Sequence, residues 1–257
     1  MITSLVEFNS GENILRGIMT KSTEHKKIVI MLGGFERAGT TERKFKVLAD
    51  HLALKNIDAF RFDFTDCGLS DGDFYNMSIE SMTADLSNAI SHLKELGYNT
   101  FSVVGHSLAA CAISLLVDKN IFNKIILIAP GLNQKDLLRL WFVQKDNKGT
   151  EITWDNYRGY LKEKDFIKNL KCDLTTKSHK LNYSYRYNNQ DKDYSLNFLN
   201  FTTNVMLIHG SSDYIVPLAS INCEFENKLI IVKGDHDLEK PGIIEQWLDK
   251  AVYFLQS

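Results

Sequence analysis

Apolar residues along the chain follow two alternating rhythms: short unbroken runs, and longer stretches in which they recur every three or four positions. The short runs, rich in β-branched and aromatic residues, lie at Ser4–Asn9, Ile14–Thr20, Lys27–Leu32, Ile57–Phe64, Phe101–Gly105, Lys124–Ala129, Asn204–His209 and Leu229–Val232. Eight strands are predicted. Runs such as Ile28-Val29-Ile30-Met31-Leu32 and Ile125-Ile126-Leu127-Ile128-Ala129 are apolar at every position, as strands covered on both faces must be, which points to a parallel sheet. Helical spacing appears at Thr41–Leu54, with Phe45, Leu48, Ala49 and Leu52 on one face, and at Ser78–Leu96, with Met82, Leu86, Ala89, Ile90 and Leu93. Ser78 is placed to cap the second of these. A helix-compatible run, Ala110 to Val117, follows Ser107, and Pro241 stands where it would open the last helix, a position at which its missing N–H costs nothing. Parallel strands joined by right-handed helical crossovers make an open α/β sheet, whose sites form beyond the carboxyl ends of the strands.

One segment breaks the rhythm. From Asn133 to Thr203, 71 residues separate two strand signals, too many for a connection without structure of its own. The segment holds 12 of the 28 aromatic residues, among them Trp141, Phe142, Trp154, Tyr157 and Tyr160. Most of these rings are expected to pack the segment onto the sheet, and some to line an apolar acyl or aryl pocket. The chain thus divides into a core, residues 1–132 and 204–257, and an inserted cap or lid, residues 133–203, with helix expected at Tyr157–Leu170. Tyr183, Tyr185 and Tyr187 alternate as in an extended segment, with three rings on one face.

Composition narrows the function classes. With 257 residues, 44% hydrophobic and 24% charged, the chain is of ordinary globular type, which excludes disorder, collagen and coiled coil. Thirty Lys and Arg against 32 Asp and Glu leave a net charge of −2, without the positive field that nucleic-acid binding needs. Residues 133–203 depart from this balance: 13 basic against 9 acidic residues give +4, while the remainder, 17 against 23, carries −6. A basic cap suits an acidic acyl-carrier protein or a coenzyme A phosphate, although such charge is more often a solvated helix face. Cys67, Cys111, Cys172 and Cys223 are far apart and show no metal-site spacing, so reduced thiols and no metal are expected. No apolar run approaches the roughly 20 residues of a membrane span. Met1 to Asn9 carries no signal-peptide pattern, and a cytoplasmic location is expected.

The candidate chemistry lies at strand ends. After the Phe101–Gly105 run the chain reads Gly105-His106-Ser107-Leu108-Ala109 and passes directly into a helical stretch. A serine there sits on a sharp strand-to-helix turn, with a helix N-terminus beside its hydroxyl; taken alone, the motif also fits a glycine turn with a capping serine. A serine alcohol needs a base, and the base needs a carboxylate to fix its tautomer. Asn204–His209 runs into a loop carrying Asp213, and Leu229–Val232 into one carrying His236. The chain order Ser107, Asp213, His236 suits this architecture. His209 is expected to pack or hydrogen-bond where it stands, and His106 to occupy the free position of the turn. His25, His51, His92 and His179 fall in surface helix or insertion, and Asp235 and Asp237 are turn formers or groups supporting the site. Two N–H donors are needed for the oxyanion: Leu108 supplies the first, and Phe35, in Gly33-Gly34-Phe35 after the third strand, the second.

Together these residues resemble the α/β-hydrolase superfamily over nearly the whole chain outside the insertion. Gly105-His106-Ser107-Leu108-Ala109 is similar to its nucleophile elbow, His209-Gly210-Ser211-Ser212-Asp213 with Val216-Pro217 to its acid loop, and Gly234-Asp235-His236 to its histidine loop. Arg61-Phe62-Asp63-Phe64 followed by Gly68-Leu69-Ser70-Asp71-Gly72 is similar to the loop after the fourth strand of bacterial cinnamoyl and feruloyl esterases and related acyl hydrolases. Those enzymes also carry an insertion between the sixth strand and the acid loop. Two positions depart from the pattern: Ala109 stands where glycine is usual, and Gly33 where these esterases usually have histidine. The resemblance implies an α/β-hydrolase fold, with a mostly parallel eight-stranded sheet flanked by helices, and a cofactor-independent serine esterase with an apolar or aromatic acyl group. Two alternatives stand beside it: a thioesterase or acyltransferase acting on acyl-carrier or CoA thioesters, and a catalytically silent ligand-binding protein on the same scaffold.

Overall fold

The computed structural model of the chain describes residues 1–22, 26–176, 178–201, 204–222 and 229–257. His25 and Cys223, both weighed from the sequence, lie outside the described residues. The chain opens with a hairpin, β1 (Ile2–Ser10) and β2 (Asn13–Lys21), and continues through β3 (Lys27–Leu32), α1 (Arg43–Ala53), β4 (Asp58–Phe62), α2 (Ile79–Glu95), β5 (Thr100–His106), α3 (Ala109–Ser114) and β6 (Phe122–Ile128). There follow α4 (Gln134–Asp146), α5 (Tyr157–Tyr160), α6 (Glu163–Asn169), the two-stranded ribbon of β7 (Leu174–Thr175) and β8 (Lys180–Leu181), and α7 (Tyr183–Asn189). The sheet resumes with β9 (Asn204–Gly210) and β10 (Leu229–Val232), and α8 (Leu248–Gln256) ends the chain.

The eight predicted strands form one sheet in the order β1-β2-β4-β3-β5-β6-β9-β10. Only the β1–β2 and β2–β4 pairings are antiparallel; the other five are parallel. Both faces of the central strands β3, β4 and β5 are buried, as their apolar runs require. In β3, Ile28, Ile30 and Leu32 join the apolar cluster of Met82, Leu86 and Ala89 from α2 and Ile113 from α3. Val29 and Met31 join Phe45, Leu48 and Leu52 of α1 and Val252 and Leu255 of α8 on the other face. Helix α2 begins with a reciprocal cap: Ser78 Oγ accepts from Ser81 N–H at 3.0 Å, and Ser81 Oγ from Ser78 N–H at 3.1 Å.

Three local expectations change. Pro241 does not open the last helix. It stands in a turn with Gly242 at φ +79°, a left-handed conformation that breaks a right-handed helix, so helical structure starts with a 3-10 turn at Ile244–Gln246 and then α8. The helix expected at Tyr157–Leu170 is two, α5 and α6, parted by extended Leu161 and Lys162; Gly159 weakens the helix just before the break. Tyr183, Tyr185 and Tyr187 lie on a helix rather than an extended segment. Asn182 caps that helix by accepting from Ser184 N–H at 2.9 Å. Helical geometry sets Tyr183 and Tyr187 side by side, half-exposed, and turns Tyr185 inward.

The stretch between β6 and β9 shares apolar cores with the sheet. Phe166, Leu181, Tyr185, Tyr194, Phe198 and Phe201 belong to the cluster that covers the α2–α3 face.

Candidate active site

The register of the parallel strands brings the carboxyl ends level. Leu32 pairs with Gly105, so Gly33-Gly34 and His106-Ser107 emerge side by side. Val232 pairs with Gly210, so the loops after β9 and β10 do the same. A Cβ at Gly210 would stand 2.4 Å from Asp235 O and 2.5 Å from Gly234 O. Only glycine lets these two loops close on each other.

Ser107 occupies the sharp turn between β5 and α3 at φ +53°, a strain on the order of 1–3 kcal/mol for a non-glycine residue. Its surroundings hold it there. Ser107 N–H donates to Ile128 O at 2.9 Å, and Ser107 O accepts from Gly131 N–H at 3.1 Å. A Cβ at Gly105 would meet Ile113 Cδ1 at 2.5 Å, so a larger residue there would displace the Ile113 side chain. Ala109 already belongs to α3 with ordinary helical geometry, so the alanine is accommodated without strain.

Ser107, His236 and Asp213 come together. His236 Nε2 lies 2.9 Å from Ser107 Oγ, and His236 Nδ1 lies 2.8 Å from Asp213 Oδ2. A carboxylate only accepts, so Nδ1 carries the imidazole proton and Nε2 accepts from the hydroxyl. Asp213 is buried, and its Oδ1 accepts from Ile215 N–H at 3.0 Å and Val216 N–H at 2.8 Å. His209, also buried, places Nε2 3.8 Å from Asp213 Oδ2 and Nδ1 3.1 Å from Gly210 O. Burial lowers its pKa, outweighing the pull of Asp213, so it packs as a neutral ring.

Phe35 and Leu108 both border the same cavity as Ser107. A Cβ at Gly34 would stand 2.9 Å from Ser107 Cβ; the Gly34–Phe35 backbone therefore passes directly against the serine. Among the described residues no hydrogen bond takes up the N–H of Phe35 or of Leu108. Asp63 ties the loop that follows Phe35 in place, accepting from Thr40 N–H at 2.9 Å, Thr40 Oγ1–H at 2.7 Å and Leu69 N–H at 2.9 Å. Asp235 and Asp237 face away from the His236 ring toward cations: Asp235 pairs with Lys240 and Asp237 with Arg37.

His106 is more than the free position of the turn. It is buried, its Nε2 donates to the carbonyl oxygen of His236 at 3.1 Å, and its Nδ1 lies 3.4 Å from Glu42 Oε1. Glu42 in turn pairs at 3.1 Å with Lys44, whose side chain is fully buried. Burial alone would raise the Glu42 carboxyl, but His106 and Lys44 hold it at about 2. Burial, reinforced by the Lys44 charge, pushes the His106 ring down to about 4. Sequence reasoning missed this group, although one signal was there: Lys44 precedes Leu48 by four residues and Leu52 by eight, which puts it on the buried stripe of α1.

The site opens into a cavity of about 420 Å³. Phe35, Leu138, Trp141, Phe142, Leu174 and Ile215 form its apolar wall, and Trp141 is fixed by donating Nε1–H to Ile215 O at 2.7 Å. Among the described residues no three His, Cys, Asp or Glu side chains gather as a metal site, and no helix is long and apolar enough to cross a membrane.

Comparison with known proteins agrees with this architecture. The family described as Serine aminopeptidase, S33, matches residues 23–229. Est1E of Butyrivibrio proteoclasticus, with ferulic acid bound, superposes with a TM-score of 0.74 at 16% identity, over 98% of this chain and 100% of that one. The α/β hydrolase GrgF of Penicillium sp. sh18 gives 0.72 at 17%, over 100% and 98%. The Pyrococcus furiosus esterase PF2001 gives 0.68 at 16%, over 99% and 90%. No curated protein matches in sequence.

Proposed function

The chain belongs to the serine aminopeptidase S33 family of α/β hydrolases, and from that membership we propose a serine hydrolase that cleaves a carboxylic ester through an acyl-enzyme on Ser107. The observation that carries the reading is the unbroken relay of 2.9 Å and 2.8 Å contacts from Ser107 through His236 to Asp213, at the floor of an apolar cavity. Ser107 Oγ attacks the acyl carbon as His236 Nε2 takes its proton, and Asp213 stabilises the imidazolium. The N–H groups of Phe35 and Leu108 hold the oxyanion. The imidazolium then protonates the departing alkoxide. Water, deprotonated by His236, attacks the acyl-enzyme; the acid leaves and Ser107 regains its proton.

Residues 133–203 act as the cap in this reading, since α4 and α7 supply Leu138, Trp141, Phe142 and Tyr185 to the cavity wall. An ester suits this wall better than a peptide with a free amino terminus. An ammonium group requires an unpaired carboxylate, and Asp237, the acidic residue of the lining, is taken by Arg37. The basic charge of residues 133–203 favours one second reading, cleavage of acyl thioesters.

The test is a fluorophosphonate probe together with a panel of nitrophenyl esters, hydroxycinnamoyl esters and acyl thioesters. Labelling that disappears in Ser107→Ala, with turnover of at least one ester, is expected. Equal labelling of native and S107A protein overturns the mechanism, and faster turnover of thioesters than of matched oxygen esters overturns the ester assignment.

A further inference from the structure

One face of α4 forms a long side of the cavity: Gln134, Leu138, Trp141, Phe142 and Lys145 recur there at helical spacing. Gln134 marks the serine end, for its Nε2 donates to Gly131 O at 2.7 Å, and Gly131 N–H donates to Ser107 O. Lys145 stands 11 residues further on, about 16 Å along the axis, with apolar side chains between. Helix α6 runs beside α4 in the same sense. Arg139 meets Glu163 at 2.6 Å, and the rings of Phe142 and Phe166 lie 5.6 Å apart. The next turn therefore brings Lys145 level with Asn169, which also lines the cavity.

This far end holds donors and positive charge without a carboxylate. Arg186 lines the cavity and is 9% exposed. Its guanidinium donates to Asn169 Oδ1 at 2.6 Å, Asn169 O at 2.9 Å and Cys172 O at 2.7 Å. All three partners are neutral, and Nε has none. Asp173, whose charge reaches Arg186, is occupied by Lys180 at 3.1 Å and by Tyr183 N–H. Lys145 pairs with no acid among the described residues, and the Asn169 Nδ2 hydrogens are unused. The carbonyls at the end of α6 offset part of the Arg186 charge. They leave the exposed Lys145 ammonium and the half-buried Asn169 amide hydrogens, backed by the buried Arg186 charge, as a donor-only lining. A buried cation without a counter-ion is costly, and it persists where a ligand supplies the anion.

We propose that this end of the cavity is an anion subsite, and that the substrate is an ester or thioester whose group lying along α4 is apolar and terminates in a carboxylate or phosphate. The substrate assignment rests on the hydrolase reading above; the subsite rests on the wall itself.

The experiment compares 4-nitrophenyl hemiesters of dicarboxylic acids, from succinic to sebacic, with 4-nitrophenyl alkanoates of equal chain length. A second arm compares S-acyl phosphopantetheine with S-acyl pantetheine. At one chain length, or in the phosphate arm, the charged member should exceed its neutral counterpart by about tenfold in kcat/KM, the worth of one charge-assisted contact. Lys145→Glu and Arg186→Gln should each shrink that ratio. A ratio is read within one protein, so a loss of folded enzyme in R186Q does not mimic the effect. Equilibrium binding of the same probes to Ser107→Ala separates the two failures. If S107A prefers the charged probe while the native protein cleaves neither, the subsite stands and the esterase reading falls. If neutral esters are cleaved equally well or better at every length, and K145E leaves the ratio unmoved, the subsite is wrong.

Discussion

His106 and His236 face each other beneath the site, ring centroids 4.9 Å apart, and His106 Nε2 donates to the backbone carbonyl of His236 at 3.1 Å. The residue before Ser107 thereby holds the main chain of His236. Glu42 and Lys44 stand behind His106 at 3.4 Å and 3.1 Å along the chain of contacts, so a buried charged pair lies next to its ring.

Replacing His106 by Phe keeps volume and burial but removes the donor. We expect kcat to fall about tenfold to a hundredfold, the cost of a small misplacement of a catalytic group, with KM little changed. His106→Gln retains an N–H donor and should recover part of the loss. Steady-state kinetics on any cleaved ester checks both; a His106→Phe enzyme as fast as native would remove His106 from this role.

The same ring sets a pH dependence of stability. Burial holds it at about 4 against an ordinary 6.5. As pH falls from about 6.5 to 4, the unfolded chain binds a proton that the folded protein refuses, and stability drops by up to about 1.4 kcal/mol per pH unit. Glu42, held at about 2 against 4.5, continues the trend: its contribution is present above about 4.5 and is lost toward 2. Asp66 opposes it. Burial, with Asp73 and Asp85, raises its carboxyl to about 6 from 3.8, so the folded state takes up that proton first and gains stability as pH falls between those values. Denaturant midpoints of native protein and His106→Gln at pH 7, 6, 5 and 4 should show a shallower acid slope in the variant. Parallel slopes would count against a neutral buried His106.

Gly34→Ala tests the close approach of the Gly34–Phe35 backbone to Ser107. The added methyl would lie 2.9 Å from Ser107 Cβ and 3.2 Å from His106 O, and the elbow, tied to Ile128 and Gly131, has no room to retreat. A kcat lower by about tenfold or more is expected, because the Phe35 N–H is carried away from the oxyanion. Gly159→Ala is the converse: within α5 and with nothing inside 4 Å, it should stabilise the protein by about 0.5–1 kcal/mol in a thermal or denaturant melt.

Asp213→Asn retains shape but points an N–H at Nδ1 or leaves the imidazole in the wrong tautomer. A loss of about 10⁴ in kcat is expected, read by acyl-enzyme formation in a single turnover. A loss under tenfold would mean that Asp213 only shapes the loop through Ile215 and Val216.

The parts of this site that were legible beforehand share one property: each depends on position along its own strand. Ser107, Asp213 and His236 follow apolar runs directly, and a residue just past a parallel strand lies at the carboxyl edge whatever else the chain does. The three-tyrosine alternation at Tyr183–Tyr187 misled because the Asn182 cap outweighed a period-two pattern only five residues long. Pro241 misled because Gly242, its neighbour, adopts a left-handed turn.

The sequence by itself determined the eight strands, the two-sided burial of the central strands and the strand-end placement of Ser107, Asp213 and His236, since side-chain periodicity records which face of an element is covered. Only the tertiary structure decided what covers it. Lys44 reads as one more charge on α1 until Glu42 and His106 close around it, and Arg186 reads as a surface cation until α4 and α6 wall it into the cavity. Pairings between distant elements depend on angles and distances of packing that periodicity within one element does not encode.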